Sequence, residues 1–351
     1  MEKLKKYIES AVTGLDAIQR APIVDYETDL RCLRIGDISQ LKQFNEWGFT
    51  STVQEDVSQF LIKKDDNFIA RTGSTIGCSY FSKKSLNSVF NNEIIRLRTT
   101  KEMLPQYLSF LIQTNDFRKY VNNVGMASAT QPNIKINDML DYELEVPLLQ
   151  KQQHIVNTIG SVDDLIEKKH EILIKIEEIS NIIFQKAVLN GNNITLSNFI
   201  SFEKGRQVTF SETGFPYLNI DSLELIPTLF SNDQGIICND HDILMVMDGA
   251  SSGNVYIGNS GIVGATLAKI KTTLNSFYLY LYFKRNFNLI QSMNTGSAIP
   301  HANKKAIGDL IVKYNDTYNE KFEHLFQMWV RLKKEIKTLK IIKDKLIKKY
   351  F

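Results

Sequence analysis

The chain has 351 residues, 42 Lys/Arg against 39 Asp/Glu, and a hydrophobic fraction of 43%. That length is too great for one compact core and suits two domains with connecting helices, and no window approaches the roughly 20 apolar residues that span a bilayer. Cys32, Cys78 and Cys238 are odd in number and too far apart for a disulfide framework or a Cys-x-x-Cys metal site. The lysine-rich start, Met1–Lys6, leads into no secretory apolar stretch. These features point to a cytoplasmic protein without a membrane partner.

In chain order the sequence reads as one unit written twice. Leu4-Lys-Lys-Tyr-Ile8 with Gly14 opens the first copy, and Leu196-Ser-Asn-Phe-Ile200 with Gly205 opens the second. The strand-like Leu33-Arg-Ile-Gly-Asp37 corresponds to Tyr217-Leu-Asn-Ile-Asp221. Asp66 to Gly77, with glycines at 73 and 77, corresponds at an offset of 176 to Asp242 to Gly253, with glycines at 249 and 253. Next come Ile94-Ile-Arg96-Leu-Arg98 and Leu267-Ala-Lys269-Ile-Lys271, alternating strands that carry two cations on one face. Tyr107 to Val121 and Tyr278 to Ile290 read as helices, each followed by a glycine (Gly125, Gly296) and a proline (Pro132, Pro300).

A heptad seam follows each copy. The central one places Val162, Leu165, Ile172, Ile176, Ile179 and Ile183 on alternating steps of three and four, with Lys169 in the one missing step. The last places Leu325, Trp329, Leu332, Ile336, Leu339, Leu346 and Tyr350 on such steps, with Lys343 in the gap. At an offset of 167 the two seams superpose. The expected organisation is a globular domain over 1–147, a spacer helix over 148–190, a second domain over 191–314 and a second spacer helix over 315–351. Its fold class is α/β (α+β), two similar globular domains in a pseudo-two-fold repeat, separated by two long antiparallel coiled-coil helices.

Residues 1–147 carry 18 Lys/Arg against 19 Asp/Glu and residues 191–314 carry 9 against 9, so the globular parts are neutral; residues 315–351 carry 10 against 5. Parts that gripped nucleic acid unaided would be expected to be basic. No Gly-Lys-Ser/Thr phosphate loop, His-Glu-x-x-His or Gly-x-Ser-x-Gly is present, nor the Asn/Asp-Pro-Pro-aromatic motif of amino methyl transfer. The five histidines are scattered. The expectation is a non-catalytic protein without a cofactor or metal site.

The two domains, each followed by a long helix, together with Gly125…Thr130-Gln-Pro-Asn133-Ile and Val146-Pro-Leu-Leu149-Gln-Lys-Gln153-His-Ile-Val156, resemble the specificity subunit of a Type I restriction-modification system. The likeness covers the whole chain. Leu148-Leu149 stands where the family often has two prolines, and Ile311-Val-Lys-Tyr-Asn315 keeps little of the motif. The resemblance implies two target recognition domains, each reading half of an asymmetric bipartite site in double-stranded DNA. It also implies helices that set the spacing and dock two methyltransferase (modification) subunits, with restriction/translocase subunits joining through the complex. Bases are read by donors and acceptors of loop side chains. The repeat offers Arg71, Thr72, Ser74, Thr75, Arg96, Arg98, Thr130, Gln131 and Asn133 in the first copy. In the second it offers Ser251, Ser252, Asn254, Lys269, Lys271, Ser297, His301, Asn303 and Lys304. A coiled-coil scaffold whose two domains bind protein partners is the alternative, for which neutral domains and a heptad seam serve equally well.

Overall fold

The computed structural model of the chain describes residues 1–52, 57–126, 132–224, 227–296 and 299–351. It mixes helix and sheet, and packing divides it into two compact units. One is Met1–Ile166 with Leu339–Phe351, and the other is Glu167–Thr338.

In the first unit an antiparallel sheet runs in the order Ile8–Thr13, Ile94–Thr99, Asn67–Ala70, Ser79–Phe81. One face carries Ile69, Ile95 and Leu97 into a core with Leu108, Phe110, Phe117 and Ile155. The other carries Phe68 and Ile94 into a smaller core with Leu33, Trp47 and Phe90. That second core belongs to a sheet of short strands, Ile23–Val24, Phe49–Thr50, Arg31–Leu33 and Ser88–Phe90, of which the last two are parallel. The central strands are therefore covered on both faces.

The second unit repeats this plan. Its main sheet runs Ile200–Lys204, Leu267–Thr272, Ile243–Val246, Val255–Tyr256, and its second sheet Phe230–Ser231, Phe215–Leu218, Gly261–Val263, Ile237–Cys238. A parallel pair, Tyr217 opposite Ile262 and Leu218 opposite Val263, again occurs in the second sheet, here at its middle instead of at its end. The opening segment is tied back in the same way in each: Leu4 N donates to Tyr142 O at 2.8 Å, and Leu196 N to Leu310 O at 3.0 Å. The helix expected over 107–121 is two, Pro105–Leu111 and Asn115–Met126. Thr114 separates them, its hydroxyl accepting from Phe117 N at 3.2 Å and so capping the second. The helix expected over 278–290 likewise breaks at Asn286, into Ser276–Arg285 and Phe287–Ser292.

The central helix is Leu149–Leu189 and the last helix Asn319–Tyr350. In the first unit Ile155, Val156 and Ile159 pack with Leu346, Ile347 and Tyr350. Tyr350 Oη lies 3.3 Å from His154 Nε2, and Lys343 pairs with Asp163 at 2.8 Å. In the second, Ile176, Phe184 and Ala187 pack with Phe322, Phe326 and Trp329. Lys169 pairs with Glu335 at 2.6 Å, and Trp329 Nε1 donates to Glu177 at 3.1 Å. Numbers fall along one helix as they rise along the other, so the segments run antiparallel within each unit. Both lysines that fill the heptad gaps are thus partnered across the seam.

Along the last helix the seam points inward as expected: Trp329 and Ile336 are buried, and Leu332, Leu339, Leu346 and Tyr350 half-buried. Along the central helix the expectation needs correction. Ile176 is buried and Val162 and Ile183 half-buried, but Leu165, Ile172 and Ile179 stand 47%, 46% and 47% exposed. The inward row is Gln152, Ile155, Ile159, Ile166, Lys169, Leu173, Ile176, Ser180 and Phe184. From Ile166 onward, four of its six steps lie one residue from the row read from sequence, and Lys169 and Ile176 belong to both.

Candidate functional site

Each unit carries the same turn after the third strand of its main sheet, and backbone hydrogen bonds build it. Gly77 N donates to Ala70 O and Gly253 N to Val246 O, at 2.9 and 2.8 Å; Cys78 N donates to Thr75 O and Asn254 N to Ser251 O, both at 3.0 Å. The turn requires positive φ at its two glycines, +74° and +83° at Gly73 and Gly77 and +98° and +95° at Gly249 and Gly253. A second segment is laced to it in each unit. Gly73 N donates to Pro132 O at 3.0 Å and Ile134 N to Arg71 O at 3.0 Å. Gly249 N donates to Pro300 O at 2.9 Å and Ala302 N to Met247 O at 2.8 Å. Bridges Thr72–Asn133 and Asp248–His301 complete the match.

The side chains on these matched backbones differ. In the first unit the Arg71 guanidinium donates through Nε and Nη2 to Asn133 Oδ1 at 3.3 and 3.0 Å. In the second, Asp248 Oδ1 lies 2.7 Å from His301 Nδ1 and its Oδ2 lies 2.9 Å from Lys204 Nζ. Partial burial pushes the Asp248 carboxyl up, but hydrogen bonds from Lys204 and His301 outweigh it and hold the group below the usual carboxylate range. His301 is fixed further by paired backbone bonds with Thr295, at 2.9 and 2.7 Å. Asp248 matches Thr72 in the repeat as the sequence suggests, but Lys204 was not among the residues expected; it reaches the site from the first strand of the sheet, a proximity that no local motif signals.

Of the expected residues, Arg71, Thr72, Thr75, Asn133, Ser251, Asn254, His301 and Asn303 lie on these two loop pairs with some exposure, and Ser74 and Lys304 are exposed. Asn303 accepts from Ala306 N at 3.1 Å, capping the short helix Lys304–Gly308. Thr130, Gln131 and Ser297 lie outside the described residues.

Several expectations need correction. Arg96 is 4% exposed; its guanidinium donates to Gln59 O at 2.8 Å and lies over the Phe90 ring. Burial pulls its basicity down, with the Arg98 charge adding to the effect. Arg98 is held by both oxygens of the buried Asp66 at 2.6 and 3.1 Å. Lys269 pairs with Asp242 at 2.7 Å and donates to Ile237 O at 3.0 Å, and Lys271 pairs with Glu203 at 2.6 Å. Ser252 is fully buried and accepts from Asn294 Nδ2 at 2.6 Å. The second sheet covers Arg96 and Lys269, through the Phe90 ring and Ile237 O, whereas Lys271 remains exposed beside Glu203.

The family model described as the Type I restriction modification DNA specificity domain matches residues 33–178. The Type I restriction enzyme MjaVIII specificity subunit of Methanocaldococcus jannaschii is 25% identical over 177 residues, which are 45% of this chain and 41% of that protein. Residues 33–178, less than half of the chain, are thus similar to the Type I restriction modification DNA specificity domain. The MjaIX specificity subunit of the same organism is 22% identical over 298 residues, 70% of this chain and 68% of that protein. The match thus spans less than half of the MjaVIII subunit and about two thirds of the MjaIX subunit. The crystal structure of the Type-I restriction-modification system S subunit from M. genitalium has the same fold, with a TM-score of 0.63 and 19% identity over 100% of this chain and 95% of that one. Among the described residues no helix is long and apolar enough to cross a membrane. Among them, no three His, Cys, Asp or Glu side chains group to hold a metal ion.

Proposed function

We propose that this chain is a specificity subunit, the DNA-reading, non-catalytic component of a cytoplasmic Type I assembly. The globular parts, 1–147 and 191–314, are target recognition domains that read different halves of an asymmetric bipartite site. The helical parts, 148–190 and 315–351, set the spacing and dock two methyltransferase subunits, through which restriction/translocase subunits join. The observation that carries this reading is the repeated loop lattice, matched in the backbone hydrogen bonds that build it and different in its side chains. A duplicated scaffold with altered loop chemistry is what two distinct half-sites require. The exposed Leu165, Ile172 and Ile179, one heptad apart on the central helix, support a protein-docking role for that helix.

Because both globular parts are neutral, the chain alone is expected to bind DNA weakly and its methyltransferase subunits to tighten binding by orders of magnitude. Selection from a sequence-randomised duplex pool, with and without those subunits, tests this. Enrichment of two different half-sites at a fixed gap is expected; no enrichment in the presence of the subunits overturns the reading. Inserting one heptad into the central helix adds about 10 Å, so the preferred gap should lengthen by up to about three base pairs while the half-sites stay the same. An unchanged gap in an assembled complex would remove spacing from the helices' role.

A further inference from the structure

Asn133 and His301 occupy the same place in the two loop lattices, each bridged to the residue one step before the turn glycine, Thr72 and Asp248. Each is also oriented by a charged neighbour. Asn133 Oδ1 is taken by two Arg71 N–H groups, so its Nδ2 and the remaining guanidinium N–H groups are what this corner presents. These groups are donors. At the other corner the carboxylate of Asp248 can only accept, so the His301 ring proton sits on Nδ1 and Nε2 is left without a partner among the described residues. In a neutral ring that nitrogen is an acceptor. His301 remains exposed while its backbone is pinned on both sides by Thr295 and Asp248, which is the preorganisation that a base contact needs.

We infer that Asn133 and His301 are the specificity-determining side chains of the two half-sites, and that Arg71 and Asp248 are positioning residues that set opposite reading polarity. In the major groove guanine offers two acceptors, N7 and O6, whereas adenine and cytosine each offer an exocyclic amine as donor. The Arg71–Asn133 corner therefore selects guanine at one position of the first half-site. His301 Nε2 selects an amine-bearing base, adenine or cytosine, at one position of the second. The inference rests on the DNA-reading function proposed above.

The test uses the full chain with its methyltransferase subunits and a duplex pool randomised across both half-sites. T72D/N133H gives the first loop the side chains of the second, with Arg71 placed to supply the cation that Lys204 supplies there. Guanine preference at one position of the first half-site should fall by about tenfold, given the discrimination expected of one good base contact, and amine-bearing bases should replace it. The second half-site should not change. H301F, at an exposed position, should abolish preference at one position of the second half-site alone, and it keeps the test alive if the double variant fails to fold. Unchanged preferences in H301F overturn the inference, as does uniform weakening over all sequences, which marks a phosphate contact. So does selection of guanine or thymine at the position that His301 controls. A wild-type complex without any base preference would instead overturn the DNA-reading function itself, and the inference with it.

Discussion

The two units share a backbone and part company in how their ends are fixed. In the first, the start of the central helix is secured by a polar side chain. Gln152, fully buried, accepts from Leu104 N at 2.8 Å and donates to Glu102 O and Pro147 O at 2.9 and 2.8 Å. In the second, the start of the last helix is secured by packing, with Phe322, Leu325, Phe326 and Trp329 set into the core beside Phe277 and Tyr278. One scaffold tolerates both because helix and loop need only be held at the same place. A hydrogen-bonded amide holds by direction and an aromatic cluster by burial, so the two should fail differently.

That contrast can be broken most forcefully at Gln152. Gln152→Ala strands three backbone groups and should destabilise the first unit by about 3 kcal/mol, at roughly 1 kcal/mol or more for each lost partner. Amide hydrogen exchange should show the loss in residues 1–166 with little change in 167–338. Equal loosening of both would mean that the units do not unfold separately. Next in size is Gly125→Ala, whose new Cβ would lie 2.6 Å from Ile76 Cδ1. Overpacking of this kind costs about 1–3 kcal/mol, and a thermal melt should register it.

The likeness of the units is sharpened by a paired substitution. A Cβ at Gly73 or Gly249 meets nothing within 4 Å, yet both residues have positive φ. Gly73→Ala and Gly249→Ala should each cost about 1 kcal/mol from backbone conformation alone, and similar denaturation midpoints would report equivalent turns. Smallest is an acid effect. Asp240 and Asp248, both in the second unit, titrate below the usual carboxylate range; burial pushes each up, and hydrogen bonds, from Lys334 and Ser260 to Asp240 and from Lys204 and His301 to Asp248, outweigh it. A depressed carboxyl contributes stability above its unfolded value, near 3.9, and that contribution disappears as pH falls through the folded value. The second unit should therefore lose protection below about pH 4, and Asp248→Asn should flatten the pH dependence of its exchange.

How much of this could be read from the sequence depended on what held each feature in place. The repeat was legible because its turns need glycines at fixed spacing, and Gly73, Gly77, Gly249 and Gly253 do adopt positive φ. The inward face of the last helix was legible because apolar residues fill nearly every step. The central helix was misread where its inward row takes the polar Ser180, its hydroxyl bonded to Ile176 O, one step from the more apolar but exposed Ile179, a satisfied group that hydrophobic pattern cannot see. Arg96 and Lys269 looked like surface cations for a related reason. Alternation identifies the face of a strand, but the second sheet that covers it comes from short strands distant in sequence. The Arg71–Asn133 and Asp248–His301 pairings lay beyond any local signal, since each joins segments brought together only by the fold.

The seam's two ion pairs carry an implication about ancestry. The central helix presents an acid and then a lysine, Asp163 and Lys169; the last helix presents the same order, Glu335 and Lys343, and the pairs cross, acid to lysine and lysine to acid. A half-chain with this order is complementary to its own copy in an antiparallel embrace. At the repeat offset of 167, though, Asp163 and Lys169 fall on Val330 and Ile336, so the two bridges are not copies of each other. Each unit has closed its stretch of the seam with an ion pair of its own.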